Sequence, residues 1–181
     1  MALELVTFDH LKSFLGLEGA TISDYPDLSV IRESVYYGLE NYLGRWLESD
    51  ERTEEIRIRE SKMIPLKALP ITAISAITSD GDTVDSEYYD IDSFGLYLKY
   101  KASNELFSIT YTGGYATEDD VPESIKRAAS IQTIFEWQSK ENIAATSVIT
   151  EGGTTIRPEY GILTTVKQLL NPYMHPFKVS S

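Results

Sequence analysis

The sequence predicts an α+β fold, with N-terminal and C-terminal helices packed on a small, mainly antiparallel β unit. Two observations carry this class. Apolar residues recur at steps of three and four near both ends, from Leu28 to Trp46 and from Ile125 to Phe135. The middle third instead alternates with period two and is punctuated by glycine and proline. A third observation adds an extended C-terminal arm, because no helical stripe survives between Lys140 and Ile162. The expected division is therefore a domain at 1–140 and an arm with a short helix at 141–181.

The first helix is expected to start after Thr7, a good N-cap. Phe8, Leu11, Phe14 and Leu15 fall on one face, and Gly16 is the stop. Glu18–Asp27 has turn composition, and Pro26 suits a first helical turn. Leu28, Ile31, Val35, Leu39, Tyr42, Leu43 and Trp46 then define a stripe on a second helix of about 18–20 residues. Gly38 lies inside it at a cost of roughly 1 kcal/mol in propensity, which predicts close packing against another backbone. Gly44-Arg45 marks its last turn.

The period then changes. Thr53–Arg59 alternates Ile56 and Ile58 against Arg57 and Arg59, as a half-buried strand does. Ile64-Pro65-Leu66 and Leu69-Pro70-Ile71 read as extended, since proline moves the preceding residue away from helix. From Ile71 to Thr78 both alternating sets are largely apolar, which predicts a strand buried on much of both faces. Asp80-Gly81-Asp82 supplies a hairpin turn. Tyr88–Ile91 and Leu96–Tyr100 flank a second turn signal at Ser93-Phe94-Gly95. Leu106–Tyr111 completes about five or six short strands.

The third helix is expected from about Pro122 to Lys140. Glu118, Asp119, Asp120 and Glu123 gather at its start, where the helix dipole favours negative charge. Ile125, Ala128, Ile131, Ile134 and Phe135 form the expected apolar side. Lys126, Arg127, Ser130, Thr133 and Lys140 form the polar side, with Trp137 at the core edge. In the arm, Ser147–Thr150 and Thr154–Arg157 are placed to pair as a hairpin across Gly152-Gly153. Ile162–Leu170 is a short amphipathic helix ended by Asn171-Pro172. Ile162, Val166, Leu169, Tyr173, Met174 and Phe177 are the candidate partner-binding residues. The tail is too short for a core of its own, so it packs back, docks on a neighbour or stays loose.

With 181 residues, 42% hydrophobic, the chain is long enough to bury an ordinary core. It has no cysteine, which removes disulfide and thiolate-metal chemistry and fits assembly in a reducing cytoplasm. No apolar run approaches the roughly 20 residues of a membrane span, and the N-terminus has no signal-peptide pattern. The expectation is a soluble protein with no membrane partner. Its formal charge of −12 opposes DNA binding over most of the surface. Solubility explains that charge, and so does acid lining a passage that DNA must cross without sticking. Basic residues are scattered: Arg57, Arg59 and Lys62, then Lys99 and Lys101, then Lys126 and Arg127. Solvated faces are the default reading for them, and a contact with an acidic neighbour is the other.

No catalytic, cofactor or metal site is expected. Asp80, Asp82, Asp85 and Glu87 suggest a calcium loop, but Gly81 is misplaced for one and Ile91 stands where its final glutamate belongs. His10 and His175 lie at opposite ends and make a poor zinc set without cysteine. Gly152-Gly153-Thr154-Thr155 lacks the lysine of a phosphate loop, and Gly113-Gly114 lacks dinucleotide-binding spacing. No nucleophile elbow occurs. A paired-carboxylate hydrolase is compatible with the composition, yet no pair stands out.

Four segments in order carry a resemblance. They are the helix Ile31–Trp46, Leu69-Pro70-Ile71, Tyr88–Asp92, and the run from Glu105 through Thr112-Gly113-Gly114-Tyr115 to Lys140. Together they resemble the small head–tail connector (adaptor, or head-completion) proteins of tailed bacteriophages, over roughly residues 3–140. The resemblance implies a structural virion protein made in the host cytoplasm. It implies a ring, usually of twelve, that docks beneath the portal protein and offers a platform to the tail or a stopper protein. DNA would pass through its lumen without specific binding. A decoration or baseplate component is the competing structural class. The long segment after Lys140 departs from compact members of that family.

Overall fold

The computed structural model describes residues 3–92, 95–140, 148–149, 155–156 and 161–175. The α+β class holds: the chain divides into two compact units, one mainly helical and one mainly of antiparallel strands. One comprises residues 4–42 and 121–173; the other comprises 1–3, 43–120 and 174–181.

The helical unit holds α1 (Phe8–Leu15), most of α2 (Pro26–Leu43), α3 (Glu123–Ser139) and α4 (Thr164–Leu170). Thr7 caps α1 as expected, its Oγ1 accepting from the His10 N–H at 3.2 Å, and Gly16 ends it at φ +67°. Leu11 is fully buried, but Phe14 is 60% exposed and lies against the His10 ring instead of the core. In α2, Leu28, Val35, Leu39 and Leu43 are buried, and Tyr36 joins them. The helix stops at Leu43 because Gly44 turns left-handed at φ +69°. Trp46 therefore leaves the predicted stripe and packs on the core of the β unit. Gly38 also departs from expectation, since a Cβ there would meet nothing within 4 Å.

The buried side of α3 differs from the predicted one. Ile125, Ala128, Ala129, Gln132 and Thr133 are buried, with Ser130, whereas Ile131, Ile134 and Phe135 are only half-buried. The burial follows the helices that cross this face. α1 and α4 both contact α3, and small side chains let another helix approach closely. Trp137 holds the core edge as expected, with Tyr25 edge-on at 5.8 Å and the Lys140 ammonium 3.8 Å from its ring centre.

The β unit contains a four-stranded and a three-stranded sheet. The first has the order β1-β7-β3-β4 (β1 Asp50–Ile58, β7 Glu105–Gly113, β3 Ile71–Ser79, β4 Asp82–Thr83), antiparallel throughout. The second has the order β2-β6-β5 (β2 Met63–Ile64, β6 Gly95–Leu98, β5 Tyr89–Asp92). Ile58, Ile64, Ile77, Leu96, Leu98, Phe107, Ile109 and Tyr111 belong to one buried cluster, so the two sheets share a core. β3 is not buried on both faces: Thr72, Ala73, Ser75 and Ala76 are exposed. The pairing with β7 explains it. Register shifts between Ile71/Ala73 and Ile74/Ala76 insert an extra residue twice, so Ile71, Ile74 and Ile77 face inward at steps of three. The predicted hairpin after β3 is a two-residue turn with Asp80 and Gly81 both at positive φ.

In the arm, β8 (Val148–Ile149) pairs with β9 (Thr155–Ile156), the hairpin the two glycines predict. The second predicted turn, at Ser93-Phe94, lies outside the described residues.

Candidate functional site

Three chain segments of the β unit, 46–49, 66–70 and 113–115, meet at a hydrogen-bonded junction. Leu69-Pro70 makes the second segment extended, with a cis bond between them, and its backbone polar groups must find partners elsewhere. The Lys67 carbonyl accepts from Trp46 N–H at 3.0 Å, and the Pro70 carbonyl from Gly114 N–H at 2.9 Å. The Ala68 N–H donates to the Tyr111 hydroxyl at 2.9 Å, and that hydroxyl donates to the Glu54 carboxylate. Glu54 also accepts from the Lys67 N–H at 3.0 Å. Burial first, then the bond to Glu54, pushes the Tyr111 phenol well above its ordinary range, so it stays a neutral donor.

Gly113 and Gly114 are required here for a reason the sequence only partly suggests. A Cβ on Gly113 would stand 2.3 Å from the Ala68 carbonyl oxygen. One on Gly114, at φ +105°, would stand 2.6 Å from the carbonyl oxygen of Glu48. The glycines permit close approach of backbone from both neighbouring segments, beyond the sharp turn expected of them. Tyr115 continues the contact, its N–H donating to Leu47 at 2.7 Å and its carbonyl accepting from Ser49 at 3.0 Å.

Side chains close the junction. Arg45 is buried, with one Nη donating to the Tyr115 hydroxyl at 2.7 Å and the guanidinium over the same ring. Arg52 and Lys67 both lie over Trp46, at 4.5 and 5.4 Å from the ring centre. His175 anchors the end of the described chain: its N–H donates to Leu43 at 2.9 Å and its ring Nε2 lies 3.1 Å from the Leu66 carbonyl. Burial lowers the His175 pKa, outweighing the opposing bond to Leu66. The two arginines and Lys67 pack on aromatic rings and His175 holds backbone, and the arrangement is that of a structural clamp.

The predicted partner-binding residues fall into three groups. Val166 is fully buried. Ile162, Leu169, Tyr173 and Met174 are half-buried. Phe177 lies outside the described residues. The start of α4 is fixed by a residue that sequence reasoning missed. Gln132, 2% exposed, donates from Nε2 to the Gly161 carbonyl at 3.0 Å and accepts at Oε1 from the Leu163 N–H at 3.1 Å. Its Nε2 also donates to Glu136 at 2.9 Å. The amide thus pairs with two backbone groups as a neighbouring peptide would. The available signal was a glutamine two turns after Ile125, in line with the apolar positions, and its polarity masks it in a search for an apolar stripe.

The surface of the β unit is uneven in charge. Asp85, Glu87, Tyr88 and Ile91 lie on β5 or just before it, with Tyr88 48% and Ile91 43% exposed. No lysine or arginine occurs between Lys67 and Lys99. Arg59 and Lys62, also exposed, lie in the turn from β1 to β2. Among the described residues none of Asp85, Glu87, Arg59 and Lys62 makes an ion pair. Asp80 instead ties its turn to β7, its N–H and carboxylate bonding the carbonyl and N–H of Leu106 at 2.9 and 3.2 Å. Among the described residues no cluster of side chains is suited to a metal ion, and no helix is long and apolar enough to cross a membrane.

A sequence model of the family described as head completion protein matches residues 4–175. Among solved structures, a chain in the neck of an empty gene transfer agent particle, computed with C6 symmetry, is similar at a TM-score of 0.58 and 13% identity, over 96% of this chain and 91% of that one. A chain in the virion of a native gene transfer agent particle is similar at 0.51 and 12%, over 90% and 86%. At such identities the likeness is one of fold. No curated protein matches the chain.

Proposed function

We propose, from the premise that this chain belongs to the head completion protein family, that it is a structural subunit of the virion joining a DNA-filled head to a tail. The match over residues 4–175 is the observation that carries the reading, since it spans both compact units and the start of the tail. The likeness of fold to a chain of a symmetric neck supports it. In this reading the chain forms a closed ring, of twelve copies as the connector resemblance implies. The ring docks on the portal protein and presents its other side to a tail or stopper protein. Closure needs one patch to meet a different patch on the next copy. The role is structural rather than enzymatic, and the side chains of the junction support it by holding a rigid shape.

The charge of −12 suits a lumen that DNA crosses without adhering. The arm, residues 141–181, is the segment we assign to docking on the portal or an adjacent subunit. Ile162, Leu169, Tyr173 and Met174 are half-buried in the free chain, so a partner can complete their burial. Val166, fully buried, supports that face from beneath; Phe177 lies outside the described residues and is assigned to docking from the sequence alone. Electron micrographs of the full chain mixed with its portal protein test the reading. Added ring density, coaxial with the portal, is expected. A chain that stays monomeric by light scattering and adds no density to the portal would overturn it.

A further inference from the structure

We propose that neighbouring copies of this chain meet head to tail through two patches of the β unit. The edge around Tyr88 and Ile91 on one copy receives the basic corner of Arg59 and Lys62 on the next. This contact rests on the ring reading above and specifies its surface.

Tyr88 and Ile91 are large apolar side chains left open to solvent beside the outer strand of the β2-β6-β5 sheet. Among the described residues no strand pairs with the free edge of β5. An aromatic and apolar centre with a polar rim is the anatomy of a protein contact. The unpaired charges of the rim are Asp85 and Glu87, which make no ion pair among the described residues, whereas Lys99, whose N–H donates to the Tyr88 carbonyl, is paired with Asp90 at 3.4 Å. Two such edges facing each other would oppose carboxylate to carboxylate. A two-fold contact is thereby disfavoured, and the surface that fits must be basic.

The chain carries that surface. Arg59 and Lys62 are exposed cations in a strongly acidic protein, and no carboxylate of the described residues pairs with them. Their neighbour Lys101, in contrast, is paired with Glu60 at 3.1 Å. Lys62 immediately precedes β2, at the far side of the sheet from β5, about 10 Å away at two strand spacings. The complementary patches thus sit on opposite edges of one sheet. A contact between them is heterologous and places each copy in the same sense relative to the last, as ring closure requires.

Charge exchange tests this on the full chain. Arg59→Glu with Lys62→Glu makes both patches acidic, and Asp85→Lys with Glu87→Lys makes both basic. Each double variant alone should lose the ring species in native mass measurements, while its thermal midpoint stays that of the parent. An equimolar mixture should regain the ring with the two variants alternating. Raising salt should dissociate the parent ring, and Tyr88→Ala should weaken it. A monomeric parent would overturn the ring reading and this contact with it. A ring-forming parent whose two double variants also form rings alone overturns the contact and leaves the ring. Rings from Arg59→Glu/Lys62→Glu that fail only to retain DNA would assign the basic corner to nucleic acid and overturn the contact equally.

Discussion

Replacing Gln132 by methionine should uncouple the start of α4 from α3. The side chain is 2% exposed, and methionine keeps most of its volume, so the cavity cost is small. What disappears is the pair of bonds to the Gly161 carbonyl at 3.0 Å and the Leu163 N–H at 3.1 Å. Each is worth about 1 kcal/mol net, and a backbone group left unpaired costs about 1–3 kcal/mol. Gly161 is exposed and Leu163 half-buried, so water recovers part of that cost. The bond to Glu136, one turn along the same helix, adds only a few tenths, on the order of 0.3 kcal/mol. The sum is about 2–4 kcal/mol. With a urea slope of about 2 kcal/mol/M, the unfolding midpoint should fall by roughly 1–2 M. Amide exchange across Thr164–Leu170 should accelerate in the same variant. Gln132→Glu keeps the acceptor for Leu163 but buries a carboxylate against the Gly161 carbonyl and Glu136, so it should lose at least as much. A methionine variant with the parent's midpoint and exchange rates would refute the role assigned to this amide.

Gly38→Ala should raise stability by about 1 kcal/mol, since the new methyl meets open space within a helix; a lowered thermal midpoint would show that the position is constrained. Gly113→Ala should cost about 3 kcal/mol or more, because its Cβ would lie 2.3 Å from the Ala68 carbonyl oxygen, and an unchanged denaturation midpoint would contradict the close approach. His175 has a folded pKa below its ordinary 6.5, so the unfolded chain binds the proton more readily. Stability should therefore be full above about pH 6.5 and decline as pH falls toward the folded value; His175→Gln should flatten that slope in pH-resolved melts. The isolated chain should show no retention on duplex DNA at physiological salt; a salt-sensitive, submicromolar affinity would require a concentrated basic surface and refute the lumen reading.

Periodicity made the elements legible. Thr7 and Gly16 bracket α1 as their chemistry requires, and Asp80-Gly81 turns where the pattern breaks. The details of packing were not legible, for identifiable reasons. Bulges at Thr72 and Ser75 convert a period of two into one of three, and nothing local to Ile71–Ser79 demands them; they arise in pairing with β7. The buried face of α3 is chosen by the helices that cross it, so Thr133 and Gln132 go inside while Phe135 stays half-exposed. Gly38 has the pattern of a contact glycine, yet a missing side chain carries no sign of whether space or crowding explains it. His175 and Gln132 act on backbone distant in sequence, and composition holds no trace of such partners.

The place of β1 in its sheet bears on how the chain is made. Among the described residues its only strand neighbour is β7, whose first residue lies 47 positions beyond Ile58 (105 minus 58), so the strand is synthesised long before it can be paired. At the ribosome it waits as an unclosed ribbon, the kind of segment that seeds aggregation when other nascent chains are near. Asp50, Glu51, Glu54 and Glu55 occupy four of its nine positions. Charges so placed disfavour pairing between like ribbons. Part of the acidity of this protein is thereby explained without reference to DNA.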